Sequence, residues 1–365
     1  MINNNSNRRV EWLDISKFIA ITIMCLGHIG LPKSISALIH IFHMPVFFIV
    51  SGICYNEEKY SRFAVFLWQK VKTLLIPSYF WCFIMYFIWR IYCLFEMRGE
   101  AVSLLEFVVL AFTKDAATSM FGNLGVIQWF FTSLFFAELF FWCIVTLVKK
   151  LTKKYKFQLL FGVIIILIIV NYLYSTYIGT NPLGVGTSII GAVFIIIGYC
   201  FKGISKNWLS WTCRKNIISF ILASVFLVIS WILNGSTSMR ILQYNNIVLF
   251  LIGACAGSYL VFQVARFVEA YMSKLKWLYN WILYIGRNTL IVLVFNRLVQ
   301  FTLIRLINYL IRMINFSWES TIGLMIMVFI DLVIEMLAFT PIIYIINKYI
   351  PFSVGKDWVR DIKDF

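Results

Sequence analysis

"ISKFIAITIMCLGHIGLPKSISALIHIFHMPVFFIVSG" (residues 15–52) consists of two apolar runs joined by a few residues around Pro32–Ser34. Each run has the length, about 18–25 residues, that crosses a bilayer as a helix. A connection this short makes the two helices antiparallel neighbours. The rest of the chain reads the same way. Of 365 residues, 61% are hydrophobic and only 13% are charged, about half the charged share of soluble domains. The mean hydropathy is +0.87. The fold class this predicts is an all-α, polytopic transmembrane bundle of about ten spans. They fall near 15–32, 35–54, 73–95, 126–148, 157–178, 183–201, 216–234, 246–265, 288–308 and 322–346.

The net charge of +16 could suggest a nucleic-acid partner, but the positions of the charges exclude it. With the N-terminus inside, twenty-two Lys and Arg residues fall in the tails and even-numbered connections, including Lys59, Arg62, Lys149, Lys150, Lys153 and Lys154. Six fall on the opposite side: Lys33, Arg98, Lys114, Arg240, Arg305 and Arg312. Basic residues concentrate on the cytoplasmic side of membrane proteins, so most of the charge reports topology. Both termini are expected in the cytoplasm, as tails over 1–14 and 347–365 of a single domain covering 1–365, in the inner (cytoplasmic) membrane. The outer connection at about 96–125 contains "SLLEFVVLAF", which reads as a short interfacial amphipathic helix. The eight cysteines form no CxxC pair and no His/Cys cluster of metal spacing, so no metal site and no bound cofactor are expected.

Ionisable residues inside spans are costly and mark function or ion pairs. Here they are Lys17, His28, His40, His43, Arg90, Glu138, Arg297, Asp331 and Glu335, with Arg287 near an inner end. Arg90 can snorkel to the outer surface. Asp331 and Glu335 share a helix face, at a depth that suits a structural ion pair with Arg297. Glu138 has no evident partner in the sequence. The only three histidines of the chain are His28, His40 and His43. Span 1 runs outward, so His28 stands roughly 16 Å above Lys17 at 1.5 Å per residue. Span 2 returns, carrying His40 and His43 to a similar depth in the outer half. Pro45 frees a backbone carbonyl about one turn earlier and permits a kink beside them. Three histidines converging near a kink point to proton transfer; a helix–helix hydrogen bond is the structural alternative. Asp14 and Lys17 lie near the cytoplasmic surface.

These stretches resemble the acyltransferase-3 family of integral membrane acyltransferases, especially the branch similar to fucose 4-O-acetylases. The resemblance is carried by "RVEWLDISKFIAITIMCLGH" with ten residues between Lys17 and His28, by "FHMPVFFIVSG" (42–52), and by "FLWQKVKTLLIP" (66–77). Weaker echoes are "QWFFTSLFFAEL" (128–139) and "YIGRNTLIVLVFN" (284–296). The resemblance implies transfer of an acyl group, usually acetyl from cytoplasmic acetyl-CoA, to a carbohydrate hydroxyl of a surface polysaccharide or lipid-linked glycan at the outer face. It implies that His28 is the catalytic histidine and Lys17 an essential basic residue. Two positions depart from the family pattern. Its paired R-x-x-R before the proline reads Lys70-Val71-Lys72-Thr73 here, and a histidine common in the last stretch is replaced by Asn296.

In this reading Lys70 and Lys72 would hold the phosphates of CoA, and the pantetheine arm would carry the thioester up to the histidines. His28 would act as base, with His43, Ser51 or Asn296 as candidate oxyanion donors and Asp14 beside Lys17. A covalent acyl-enzyme is the alternative chemistry. The alternative function is a transporter or flippase of a lipid-linked glycan, which would leave acetyl-CoA intact.

The topology has a direct check. A reporter fused after Lys154 is expected to read cytoplasmic and one inserted near Lys114 external. Both on one side would break the assignment of spans.

Overall fold

The computed structural model describes residues 10–96, 103–113, 128–152, 154–209, 212–307, 309 and 321–357. The expected positions of Arg8, Arg9, Arg98, Lys114, Lys153, Arg312, Arg360 and Lys363 lie outside these residues. The described chain is built of helices, and nine of them are long and apolar enough to cross a membrane. The protein is an all-α, multi-pass helical bundle.

The first expected span is shorter than its apolar run. Helix α1 (Glu11–Leu26) has 16 residues, about 24 Å of rise, and then turns at Gly27 and His28. It begins at Glu11, inside the segment expected as a tail. The second span is two helices, α2 (Lys33–Phe42) and α3 (Pro45–Cys54). Proline lacks the N–H that would continue the ladder, so the helix breaks at His43–Met44 and restarts with Pro45 in its first turn. The third span starts ten residues before its expected limit. Helix α4 (Phe63–Lys70), a π-helical turn (Val71–Leu75) and α5 (Ile76–Glu96) run without interruption. Next comes α6 (Leu104–Thr113), a short helix where the sequence predicted one. It packs Phe107 and Ala111 inward and leaves Leu105, Val109 and Phe112 exposed.

The remaining elements are α7 (Gln128–Leu151), α8 (Lys156–Tyr177), α9 (Val185–Leu209), α10 (Cys213–Asn234) and α11 (Ile247–Met272). They are followed by α12 (Lys276–Arg287), α13 (Thr289–Val299), a second π-helical turn (Gln300–Ile304) and α14 (Thr321–Tyr349). Helix α12 is a 12-residue amphipathic helix, missed at the sequence level because it is shorter than a span. The expected C-terminal tail begins with order: a 3₁₀ turn (Pro351–Val354) packs on α5, where Trp81 Nε1 donates to the Ser353 carbonyl at 3.0 Å.

Two large apolar cores and a smaller one of α1, α11 and α12 fill the bundle, and α1 and α7 lie on the seam between the two large ones. Trp12 and Ala20 of α1, with Phe130 and Ala137 of α7, join α2, α3, α9 and α11. Met24 and Cys25, with Phe131 and Phe135, join α5, α6, α13 and α14. Lipid cannot drive apolar helices together by hydrophobicity, so close packing of small residues does. The α3–α9 pair shows this in its tightest form. A Cβ on Gly52 would lie 2.0 Å from the Ile195 carbonyl oxygen, and one on Gly198 would lie 2.0 Å from that of Ile49. In contrast α8 and α10 present mostly lipid-facing surfaces.

Gly198→Ala and Gly52→Ala are therefore expected to force α3 and α9 apart and to lower the thermal stability of the purified protein or abolish its folded yield. Gly162→Ala on α8, where nothing lies within 4 Å of the new methyl, is expected to be neutral or stabilising by roughly 0.5–1 kcal/mol. Equal behaviour of all three in size-exclusion and melting assays would contradict this packing.

Candidate active site

The three histidines come together. The rings of His28 and His40 have centroids 6.5 Å apart, and those of His40 and His43 are 5.0 Å apart, in edge-to-face arrangements. His40 Nδ1 lies 2.6 Å from the Ser36 carbonyl and His43 Nδ1 lies 2.8 Å from the Ile39 carbonyl. A carbonyl only accepts, so both Nδ1 atoms carry the proton, and a neutral ring then keeps its lone pair on Nε2. His43 is buried, and its main-chain N–H also donates to Ile39 at 3.2 Å. No hydrogen bond engages either ring nitrogen of His28 among the described residues.

Beneath this cluster lies a cavity of about 210 Å³ on the seam between the two cores. Its wall runs from Lys17, Ser51 and Cys54 toward Met24 and Met44, with Phe130, Phe131 and Leu293 closing the sides. Met24 and Met44, one turn before His28 and one residue after His43, line its wall nearest the histidines in sequence. Leu74 of the first π-helical turn also lines it; such turns recur at functional sites.

Lys17 reaches this cavity while its Nζ donates to Asp14 at 2.5 Å. Asp14 is buried, and Arg287 Nε approaches its other oxygen at 3.3 Å. The two lysines expected to hold CoA phosphates are occupied within the chain. Lys70 forms an ion pair with Glu138, which also accepts a hydrogen bond from the Ser51 hydroxyl. Glu138 thus has the partner that sequence spacing did not reveal. Lys72 pairs with Asp357 at 2.5 Å in an exposed contact. Breaking the buried Lys70–Glu138 pair by removing one member would strand a charge, typically at about 3–5 kcal/mol. Lys72 is paired only at the surface, where such contacts contribute about 0–1 kcal/mol.

The expected oxyanion donors are committed as well. Ser51 gives its proton to Glu138, and the Asn296 amide donates to Glu335 Oε1 at 2.7 Å. The other Glu335 oxygen accepts from Gln300 Nε2 at 3.2 Å, and Gln300 also approaches the Cys25 carbonyl at 3.3 Å. The expected Arg297–Glu335 ion pair is not formed. The carboxylate takes its hydrogen bonds from Asn296 and Gln300, and Arg297 acts on it only through space. Gln300 was legible only as a polar residue in the apolar run "RLVQFTLI".

Arg240 was counted at the sequence level for topology alone. Its loop follows α10, whose Trp231 Nε1 donates to the Ser34 carbonyl in the first turn of α2 at 3.0 Å, and Arg240 acts electrostatically on the His28 ring. Partial burial pulls the Arg240 guanidinium down from its ordinary value.

At the opposite end, Glu57 is held by Lys149, by Tyr199 and by Lys156 at 3.2 Å. Burial would push its carboxyl up, but the hydrogen bonds from Lys149, Tyr199 and Lys156 prevail and hold it at about 2. This cluster ties the α3–α4 connection to α7, α8 and α9.

No curated protein and no solved structure gives a significant match to the chain. The acyltransferase-3 family profile, described as an acyltransferase domain, matches residues 10–336, which include α1 with His28, the broken α2–α3 segment and the Asn296–Glu335 layer. The chain belongs to the acyltransferase-3 family and is a multi-pass membrane acyltransferase.

Proposed function

We propose that the protein is an O-acetyltransferase of the cytoplasmic membrane, moving acetyl from cytoplasmic acetyl-CoA to a carbohydrate hydroxyl at the outer face. The acceptor belongs to a surface polysaccharide or a lipid-linked glycan. The observation that carries this reading is the alignment of an apolar cavity, with Lys17 at one end, beneath a cluster of three histidines. A thin, largely apolar pantetheine arm suits the cavity. The nucleotide stays at the lysine-rich end, where Lys72, bound only in an exposed pair, exchanges Asp357 for a phosphate more readily than buried Lys70 leaves Glu138.

His28 serves as general base. Its ring takes the proton of the acceptor hydroxyl as that oxygen attacks the thioester carbonyl. Collapse of the tetrahedral intermediate breaks the carbon–sulfur bond and forms the ester. The imidazolium returns the proton to the departing thiolate, so CoA leaves as the thiol and His28 is regenerated. Direct transfer needs no acyl-enzyme, and Ser51, with its proton directed at Glu138, is here a wall residue that fixes the carboxylate.

His43 is held by its own backbone with Nε2 free to accept, which suits it to orient the acceptor. His40 lies between the other two rings and is assigned a structural role. Loss of a general base typically costs roughly 10²- to 10⁴-fold in rate. His28→Ala is expected to abolish ester formation from labelled acetyl-CoA by the purified protein, with unchanged yield and donor binding. His43→Ala should be severely impaired, and His40→Ala should retain much of its activity. Turnover should also fall at acid pH, where the base becomes protonated. Near-normal turnover of folded His28→Ala would overturn the mechanism. Intact acetyl-CoA in the presence of every acceptor tried would overturn the function.

A further inference from the structure

Two guanidinium groups share the histidine end of the bundle, and neither is neutralised by a dedicated partner. Arg297 and Arg240 both act electrostatically on the His28 ring, and each acts on the other. Among the described residues, no hydrogen bond or ion pair engages either side chain. Both are partly buried, where an unpaired charge costs far more than at the surface and like charges disfavour one another.

Their placement is rigid. The Arg240 backbone is pinned through its own carbonyl, which accepts from Asn181 Nδ2 at 2.9 Å. The neighbouring Met239 carbonyl accepts from Thr187 Oγ1 at 2.7 Å, and a bridge between Ser238 and Gln243 closes the loop. Arg297 lies between Asn296 and Gln300 on α13, and both of these bond Glu335. Glu335 is the carboxylate that acts on Arg297, and its oxygens already accept those two bonds. Buried Asp331 lies one turn before Glu335 and acts on it, but among the described residues no carboxylate acts on Arg240. The histidines supply no counter-charge, since His40 and His43 direct their Nδ1–H groups at backbone carbonyls.

We propose that the acceptor is anionic, and that Arg240 and Arg297 together grip a carboxylate or phosphate on it, holding the reacting hydroxyl beside His28. Guanidinium groups suit both oxyanions, since their fixed forks bind carboxylate and phosphate in bidentate fashion. The charged group could be the carboxylate of an acidic sugar or the phosphate that links a glycan to its lipid. This inference rests on the acyltransferase reading of the same site.

The test uses the purified full-length protein in lipid nanodiscs with acetyl-CoA and three probes: methyl glucoside, glucuronic acid and glucose 1-phosphate. The expected result is preferential acetylation of a charged probe, the carboxylate or phosphate arm identifying the source. Arg297→Gln and Arg240→Gln should each raise the KM for that probe roughly ten- to a hundredfold, the effect of losing a charge-assisted hydrogen bond. The KM for acetyl-CoA should stay unchanged, and Arg→Lys at either position should recover part of the loss. Equal use of the neutral probe by wild type and both variants would overturn the proposal.

Thermal unfolding with glucuronic acid or inorganic phosphate gives a readout independent of turnover. The anion should stabilise wild type and neither Gln variant; no stabilisation of wild type would overturn the arginine site. Absence of acetyl transfer to all three probes, with this stabilisation intact, would overturn the acyltransferase reading and leave the anion site standing.

Discussion

In hydrocarbon a backbone N–H or C=O finds no water, so each must be paired within the protein. That constraint explains why the bundle is helical and where it is permitted to break. The interruption that matters lies at His43–Met44, ahead of Pro45. There the His43 ring adds its Nδ1–H to the Ile39 carbonyl, alongside the main-chain bond from the same residue. His40 does the same one turn earlier at Ser36. Both rings are thereby locked in one tautomer, with Nε2 directed away from the backbone. In the proposed mechanism these hydrogen bonds leave His43 Nε2 free to orient the acceptor beside His28.

The break also shapes the cavity. Because α2 and α3 are separate helices, α3 can lie against α9 at glycine-to-carbonyl distance while α2 packs on α11. The space left on the seam of α1, α3, α7 and α13 is apolar apart from Lys17, Ser51 and Thr289. Polar residues elsewhere in the layer are directed away from it, into Glu138 on one side and Glu335 on the other. Such a passage accepts a thin neutral chain and offers little to water or small ions.

Much of this was legible in the sequence, because the features that set it are local. Apolar run length located the spans, the short Pro32–Ser34 connection made the first two helices neighbours, and rise per residue brought the histidines to one depth. Partner choice between distant helices was not legible. Lys70 and Glu138 are 68 positions apart, and Lys72 and Asp357 are 285 apart; their pairing depends on rotation and tilt, which hydropathy does not encode. The same limit produced the mistaken Arg297–Glu335 pair. Depth alone made the two neighbours, but Asn296 and Gln300 present amides to the carboxylate and occupy it. Arg240 was hidden for a different reason: a basic residue in a loop carries a topological signal that masks any local one.

The central claim is that the donor's arm threads the cavity from the lysine-rich end to the histidines. It is tested most directly by an electron cryomicroscopy structure of the protein bound to a non-hydrolysable thioether analogue of acetyl-CoA. The account predicts the arm passing Lys17 and Ser51, with the acyl carbon beside His28, close enough for a bound hydroxyl to approach within about 3–3.5 Å. An acyl group that ends at the level of Lys17, or an analogue seated outside the α1–α3–α7–α13 seam, would contradict it.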